Sequence, residues 1–190
     1  MTELAILLPL VAFLALAIGF AIVLRRAGVI VARTREVEGF RSSVRELSAR
    51  IDQSLEGAVA RIDAVRRQQL SADTMAATIE VATDAIARYT DEARALHGPP
   101  PADAIRDELV AELERAGRAL RMVDHGATIL AQAIRRGREL EAQTSIKRGY
   151  LNLVHAREAI LRQTARAAGL QAKRIATERE PAAAVHEPRP

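Results

Sequence analysis

The sequence predicts an all-α protein, in which a single N-terminal transmembrane helix is followed by a long cytoplasmic helical hairpin. Three observations lead to this fold class. Residues 4–24 (LAILLPLVAFLALAIGFAIVL) carry no charge, apolar residues then recur with heptad spacing, and one Gly/Pro turn divides the heptads into two helices. Aromatic residues make up only 3% of the chain, and its bias toward alanine, leucine, arginine and glutamate is typical of coiled coils.

Residues 1–26 are predicted to form a transmembrane anchor. At ~1.5 Å per residue the uncharged run would be roughly 31 Å long, close to the thickness of a bilayer's hydrocarbon core. A cleavable signal peptide is the alternative, but Met-Thr-Glu precedes the run and Arg25-Arg26 follows it, without a small-residue cleavage site. Ala15 and Gly19 place small residues four apart, a spacing that favours contact between transmembrane helices.

Residues 27–36 are predicted to be a basic juxtamembrane segment. Because basic residues remain on the cytoplasmic side, the N-terminus is expected outside and the remaining chain in the cytoplasm. Of the 28 basic residues only Lys147 and Lys173 are lysine, which indicates a GC-rich bacterial gene, so the bacterial inner membrane is the expected location. The residues expected at the membrane interface are Arg25, Arg26, Arg33 and Arg35.

Residues 37–97 are predicted to form the first long coiled-coil helix. Apolar residues recur there mainly in alternating steps of three and four, the signature of a heptad seam, with a weak patch at 66–71. Such a narrow stripe requires a partner helix to stabilise it. The packing residues predicted in this helix are Val37, Phe40, Val44, Leu47, Ile51, Ile62, Val65, Ile79 and Ile86.

Residues 98–103 (GPPPAD) are predicted to be a turn, because prolines cannot continue a helix and Asp103 can cap the next one. A second long helix is predicted at 104–178, antiparallel to the first, with Leu113 opposite Ile86. Its predicted packing residues are Leu113, Leu120, Leu130 and Ile134. Two such hairpins could form a four-helix bundle on dimerisation. Like charges around 135–149 predict a bend or loosening there.

Beyond residue 149 an apolar pattern resumes at Leu151, Val154 and Leu161, which indicates that the helix continues. Residues 179–190 are predicted to be a disordered tail, because three prolines interrupt it. Basic residues of the C-terminal region could contact lipid headgroups or phosphate, although an ordinary solvated face is the alternative. These residues are Arg157, Arg162, Arg166, Lys173 and Arg174.

No pattern in the chain indicates catalysis. The absence of cysteine excludes disulfides and thiol chemistry, and the four histidines lack a second metal ligand at helical spacing. No phosphate-binding glycine loop or nucleophile motif is present. We therefore expect no enzyme activity, no catalytic residue, no metal, no cofactor and no small-molecule substrate.

The predicted function is a membrane-anchored coiled-coil scaffold, stalk or adaptor that acts through protein–protein contacts at the cytoplasmic face. Its expected partners are the lipid bilayer and either a second copy or another helical membrane-associated protein. The alternative is a membrane-surface module that binds anionic lipid or nucleic acid through the arginine-rich C-terminal helix. Nucleic acid is not expected, because DNA-binding motifs and aromatic stacking platforms are absent and the net charge is only +4.

Overall fold

The computed structural model describes the backbone of residues 2–133 and 137–170, with side chains from residue 13 onward in those ranges except residues 15 and 133. Four α-helices and one short 3₁₀ helix make up this part of the chain, and it contains no strand. The helices are α1 (Thr2–Arg66), α2 (Ala76–Arg94), α3 (Pro100–Ala133) and α4 (Glu139–Ala168), with the 3₁₀ helix at Ala72–Met75. The all-α class is therefore confirmed.

The predicted membrane anchor is wrong. Within the described residues, no helix is both long enough and apolar enough to cross a bilayer. The prediction of a single-pass protein of the bacterial inner membrane, with its N-terminus outside, is contradicted by this finding.

The chain divides into two compact units, which are described separately. One consists of residues 1–38 and 171–190, and its described part, residues 2–38, is the first portion of α1. The other is residues 39–170, which contain the rest of α1 together with α2, α3 and α4. The helix–helix contacts described below lie within this second unit.

Residues 39–170 form an up-down-up-down four-helix bundle. Where two polar contacts join the same pair of helices, residue numbers rise on one helix and fall on the other. Helix α1 is therefore antiparallel to α2 and to α4, and α3 is antiparallel to α4, so α2 and α3 are antiparallel as well. These contacts link Ser54 to Tyr89 and Arg61 to Thr78 (α1 and α2), Glu108 to Gln163 and Met122 to Ser145 (α3 and α4), and Ser48 to Thr164 and Asp52 to Arg157 (α1 and α4), while Arg94 contacts Glu114 (α2 and α3). The bundle therefore assembles four helices from one chain rather than from two hairpins.

The helix predicted at 37–97 is interrupted after Arg66. Gln68 adopts a left-handed conformation (φ 60°), while the amide of Gln69 donates to the carbonyl of Ala64 and that of Gln68 to Val65. This is the bonding pattern of a Schellman C-cap, here built on glutamine instead of glycine. Because the residues directly after Val65 are polar and add no apolar side chain to the seam, the helix can end there. The chain then reverses, and α2 packs beside α1.

The Gly/Pro-rich segment also differs slightly from its predicted bounds. Helix α2 ends at Arg94, and Pro100 through Asp103 already belong to α3 instead of to the turn. Proline is well tolerated at the start of a helix, because the amide hydrogen that it lacks would have no helical partner there. Asp103 lies in the first turn of α3, where its negative charge interacts favourably with the positive end of the helix dipole.

The helix predicted at 104–178 is also divided. Helix α3 ends at Ala133 and α4 begins at Glu139, with Gly137 in a left-handed conformation (φ 64°) between them. This break lies at the edge of the region in which like charges predicted a bend. Its consequence is large, because α4 folds back along α3 and supplies the fourth helix of the bundle.

Two apolar clusters fill the interior of the bundle. The larger contains side chains from all four helices, and the smaller consists of Phe40, Val44, Ala102, Ile105 and Ala167. The fully buried large side chains are Val44, Leu47, Ile51, Leu55, Ile62, Met75, Leu109, Leu113, Leu120, Val123, Leu153 and Ile160. The amphipathic stripes of the four helices therefore enclose one another within a single chain.

Candidate protein-contact surfaces

Polar side chains on the face of α4 that packs against α1 already have hydrogen-bond partners on α1. Nε of Arg157 donates to Oδ1 of Asp52 at 2.5 Å, and this hydrogen bond holds the pKa of the Asp52 carboxyl below its usual range. Two turns further along α4, the Thr164 hydroxyl donates to Oγ of the buried Ser48 at 2.6 Å. These contacts fix the register of α4 against α1 and leave this face unavailable to a partner.

The C-terminal basic residues do not form one free cluster. Arg157 is held by Asp52, and Arg166 forms an ion pair with Glu108 on α3. Arg162 is exposed, while Lys173 and Arg174 lie outside the described residues. The predicted lipid or phosphate contact would therefore have to compete with ion pairs inside the bundle.

The predicted packing residues are mostly found in the interior. Val37, Phe40, Val44, Leu47, Ile51, Ile62, Val65, Ile79, Ile86, Leu113 and Leu120 are buried, Leu130 is half-buried against the core, and Ile134 lies outside the described residues. Ile86 and Leu113 line the same surface cleft between α2 and α3, as the antiparallel pairing predicted. Sequence reasoning missed the core residues Leu153 and Ile160, because it placed the seam of this helix at Leu151, Val154 and Leu161.

The first part of α1 carries a long exposed apolar segment, which we name the α1 apolar segment and define as residues 13–31. Its large side chains are between 50% and 73% exposed, as for Phe13 (73%) and Phe20 (62%). Ile22, Val23 and Leu24 are consecutive and all exposed, so the apolar surface surrounds the helix instead of forming one stripe. An apolar surface of this kind marks an interaction site.

Polar residues flank and interrupt the α1 apolar segment. Arg25, Arg26 and Arg35 are exposed and Arg33 is half-buried. Their predicted position at a membrane interface depended on the anchor and loses its basis with it. The Ala15 side chain lies outside the described residues, whereas Gly19 is exposed and a Cβ added there would meet nothing within 4 Å.

A second exposed surface lies on α4, and sequence reasoning assigned it to the wrong side of the helix. Leu151, Val154 and Leu161 were interpreted as a continuing internal seam, but the core uses Leu153, Ala156 and Ile160 instead. Leu151 and Leu161 are 44% and 46% exposed. The signal was present in the sequence, because α4 carries two overlapping heptad patterns and only one of them can face the core.

Neither a metal centre nor a catalytic constellation is evident in the described part of the chain. No group of three or more potential ligands converges there, and His97, His125 and His155 are separate and exposed. The clefts are shallow grooves between helices. One of about 440 Å³, near the end of α1, is lined by apolar side chains together with Arg66, Glu139 and Lys147. Such grooves can accept a side chain of a partner but provide no enclosed substrate site.

Comparison with known proteins adds no assignment. No protein-family model matches this sequence, no curated protein is significantly similar to it, and no solved structure matches its fold. The class defined by the structure is an α-helical protein in which residues 39–170 form a four-helix bundle.

Proposed function

We propose that this protein is a helical scaffold or adaptor that acts through protein–protein contacts, with the α1 apolar segment as its main binding surface. The observation that carries the proposal is the exposure of that segment, from Phe13 to Val31, in a chain whose bundle already has a buried core of its own. The bundle does not need a partner to complete its core, whereas the apolar side chains of the α1 apolar segment need one to become buried.

The partner's chemistry follows from the shape of this surface. Because apolar side chains lie on all sides of the helix, a single partner helix would cover only part of them. A partner that presents an apolar groove, or at least two apolar helices, would enclose the segment. Burying each large side chain contributes about 1.5–3 kcal/mol, so a handful of them would exceed the ~4–15 kcal/mol cost of association.

The lipid or nucleic-acid alternative has less support. Two of its described basic residues, Arg157 and Arg166, already have carboxylate partners in the bundle. The two proposals also respond differently to salt. An apolar contact persists at high ionic strength, whereas binding to headgroups or phosphates weakens steeply.

The test is photocrosslinking of the full chain in the cells that produce it. A photoreactive phenylalanine analogue replaces Phe20 in one variant and Val81 in a control variant. Val81 is a matched control because it is an exposed apolar residue, at 70%, on α2. We expect a discrete protein adduct from position 20 and none from position 81, and we expect the adduct to persist when cells are opened in 1 M salt.

A second pair of variants tests whether the adduct depends on apolar burial. Ile22→Lys places a charge inside the α1 apolar segment, and Val81→Lys places the same charge on α2. Only Ile22→Lys should abolish the adduct formed from position 20, while the helical circular dichroism of both variants stays unchanged. Adducts from positions 20 and 81 in equal yield, or no protein adduct from position 20, would refute the proposal.

A further inference from the structure

The exposed surface of α4 has a regular pattern, and we name it the outer α4 seam. Its members follow one another in alternating steps of four and three residues, the spacing of a coiled-coil seam. They are Leu140, Thr144, Lys147, Leu151, Val154, Glu158, Leu161 and Ala165. The seam lies on the side of α4 opposite the core positions Leu153, Ala156 and Ile160.

The seam collects most of the bundle's exposed large apolar side chains. In the described part of residues 39–170, five such side chains are exposed, and three of them are Leu140 (77%), Leu151 (44%) and Leu161 (46%). Of the remaining two, Leu70 lies in the segment that follows α1 and Val81 lies on α2. Scattered exposed leucines need no explanation, but three on one heptad face of one helix indicate a contact surface.

Two opposite charges lie on the seam, on either side of its apolar centre. Lys147 is on one side of Leu151 and Val154, and Glu158 is on the other. Both charged residues are exposed, and among the described residues neither takes part in an ion pair. Most other carboxylates near α4, such as Asp52 and Glu108, already have arginine partners.

We propose that the outer α4 seam binds the same seam of a second copy of this chain, with the two helices antiparallel. In that arrangement Leu151 lies opposite Val154 of the second copy. Lys147 then lies opposite Glu158 of the second copy, and the two-fold axis repeats both contacts. The same register places Leu161 against Thr144 and Leu140 against Ala165.

Charge decides the direction of the two helices. In a parallel pair Lys147 would face Lys147 of the second copy and Glu158 would face Glu158, so both charged positions would repel. In the antiparallel pair both positions attract. The surface is therefore complementary to itself in one orientation only, as the isologous contact of a two-fold dimer requires.

This inference deepens the proposed function by adding a self-association surface, but it rests on α4 and not on the α1 apolar segment. Either could be right without the other. The contact is a stripe on one helix per copy, smaller than a standard interface, so a weak dimer is expected and the assay uses protein at about 100 μM.

The orientation is tested by crosslinking, which is simplified because the native chain contains no cysteine. Leu161→Cys and Thr144→Cys are introduced into separate full-length chains with different tags. A short bismaleimide should join Leu161→Cys chains to Thr144→Cys chains but not Leu161→Cys chains to each other, because the two Leu161 positions of an antiparallel pair lie about 25 Å apart. Preferential joining of Leu161→Cys chains to each other, or no joining at all, would overturn the antiparallel dimer.

The ion pairs are tested in the same crosslinking background. Glu158→Lys replaces two attractive contacts with two repulsive ones and should lower the crosslinking yield roughly tenfold. The double variant Lys147→Glu/Glu158→Lys exchanges the charges and should restore the yield. Glu80→Lys on α2 makes the same charge change away from the seam and should leave the yield unchanged.

Each result bears on one surface only. A yield that Glu158→Lys leaves unchanged, or that the double variant fails to restore, would overturn the proposed pairing. Ile22→Lys in the α1 apolar segment should not affect the α4 crosslink. Loss of the α4 crosslink in the Ile22→Lys variant would likewise contradict the proposal, because the contact between the two α4 seams would then depend on α1.

Discussion

Gly149 on α4 should not tolerate even one added methyl group. A Cβ at this position would lie 2.6 Å from Cγ2 of Val123, 2.8 Å from the carbonyl oxygen of Ala119 and 3.0 Å from the amide nitrogen of Val123. Two of these three atoms belong to the α3 backbone, which cannot rotate away as a side chain can. Gly149→Ala would therefore force α3 and α4 apart.

The magnitude follows from two opposing terms. Alanine in place of glycine inside a helix stabilises by up to about 1 kcal/mol, because it restricts the unfolded chain. Overpacking of a closely packed interior costs about 1–3 kcal/mol, and the upper part of that range applies where backbone must move. We expect Gly149→Ala to lower the free energy of unfolding by a net ~1–2 kcal/mol, which corresponds to roughly 3–8 °C in Tm.

The matched control is Gly57→Ala in α1. Gly57 is exposed, and a Cβ there would meet nothing within 4 Å, so the helix-propensity term acts alone. This variant should be stabilised by about 0.5–1 kcal/mol. Urea denaturation of both variants, followed by circular dichroism at 222 nm, measures the difference. If Gly149→Ala were as stable as Gly57→Ala, the close approach of α3 and α4 would be refuted.

Two further predictions concern the core and the α1–α4 contact. Leu120→Ala, in the centre of the core, should cost roughly 2–5 kcal/mol, whereas Leu70→Ala, at a 42% exposed position, should change stability by less than about 1 kcal/mol; equal losses in urea denaturation would contradict the core assignment. The folded pKa of Asp52 lies below its usual value of about 3.9, so its ion pair with Arg157 stabilises the fold above that value and is lost as pH falls through the folded pKa. Asp52→Asn should therefore be less stable than the native chain at pH 7, and the difference should shrink as pH falls through the folded pKa of Asp52; a stability difference that stays constant between pH 7 and pH 2 would show that the ion pair does not contribute.

Much of the fold could be predicted from the spacing of apolar residues. Helices were expected along nearly the whole chain, and the heptad positions from Val44 to Leu120 lie in the bundle core. This succeeded because a helix presents every third or fourth residue on one face, so the buried face can be identified before its partner is known.

The number of helices could not be predicted in this way. Both turns that convert two helices into four lack a strong sequence signal: one is closed by Gln68 in a left-handed conformation and the other contains Gly137. Heptad spacing continues across such turns, because each new helix has a seam of its own. Only the packing of α2 beside α1 and of α4 beside α3 shows where the chain reverses.

For the candidate surfaces too, the sequence identified the residues but not which of them would be exposed or paired. Leu151 and Leu161 were recognised as part of a seam, but their exposure could not be known, because the same helix also offers Leu153 and Ile160 to the core. The basic C-terminal residues were recognised as well, although Asp52 and Glu108, which pair with two of them, are distant in the chain.

By itself, the sequence determined that the protein is helical, that it lacks cysteine chemistry, and which residues are able to pack. Tertiary structure alone decided that four helices from one chain enclose the core, and which of the two seams on α4 remains exposed. The physical reason is that periodicity is a local property of one helix. The choice of the face to be buried depends on the neighbours that the turns bring beside it.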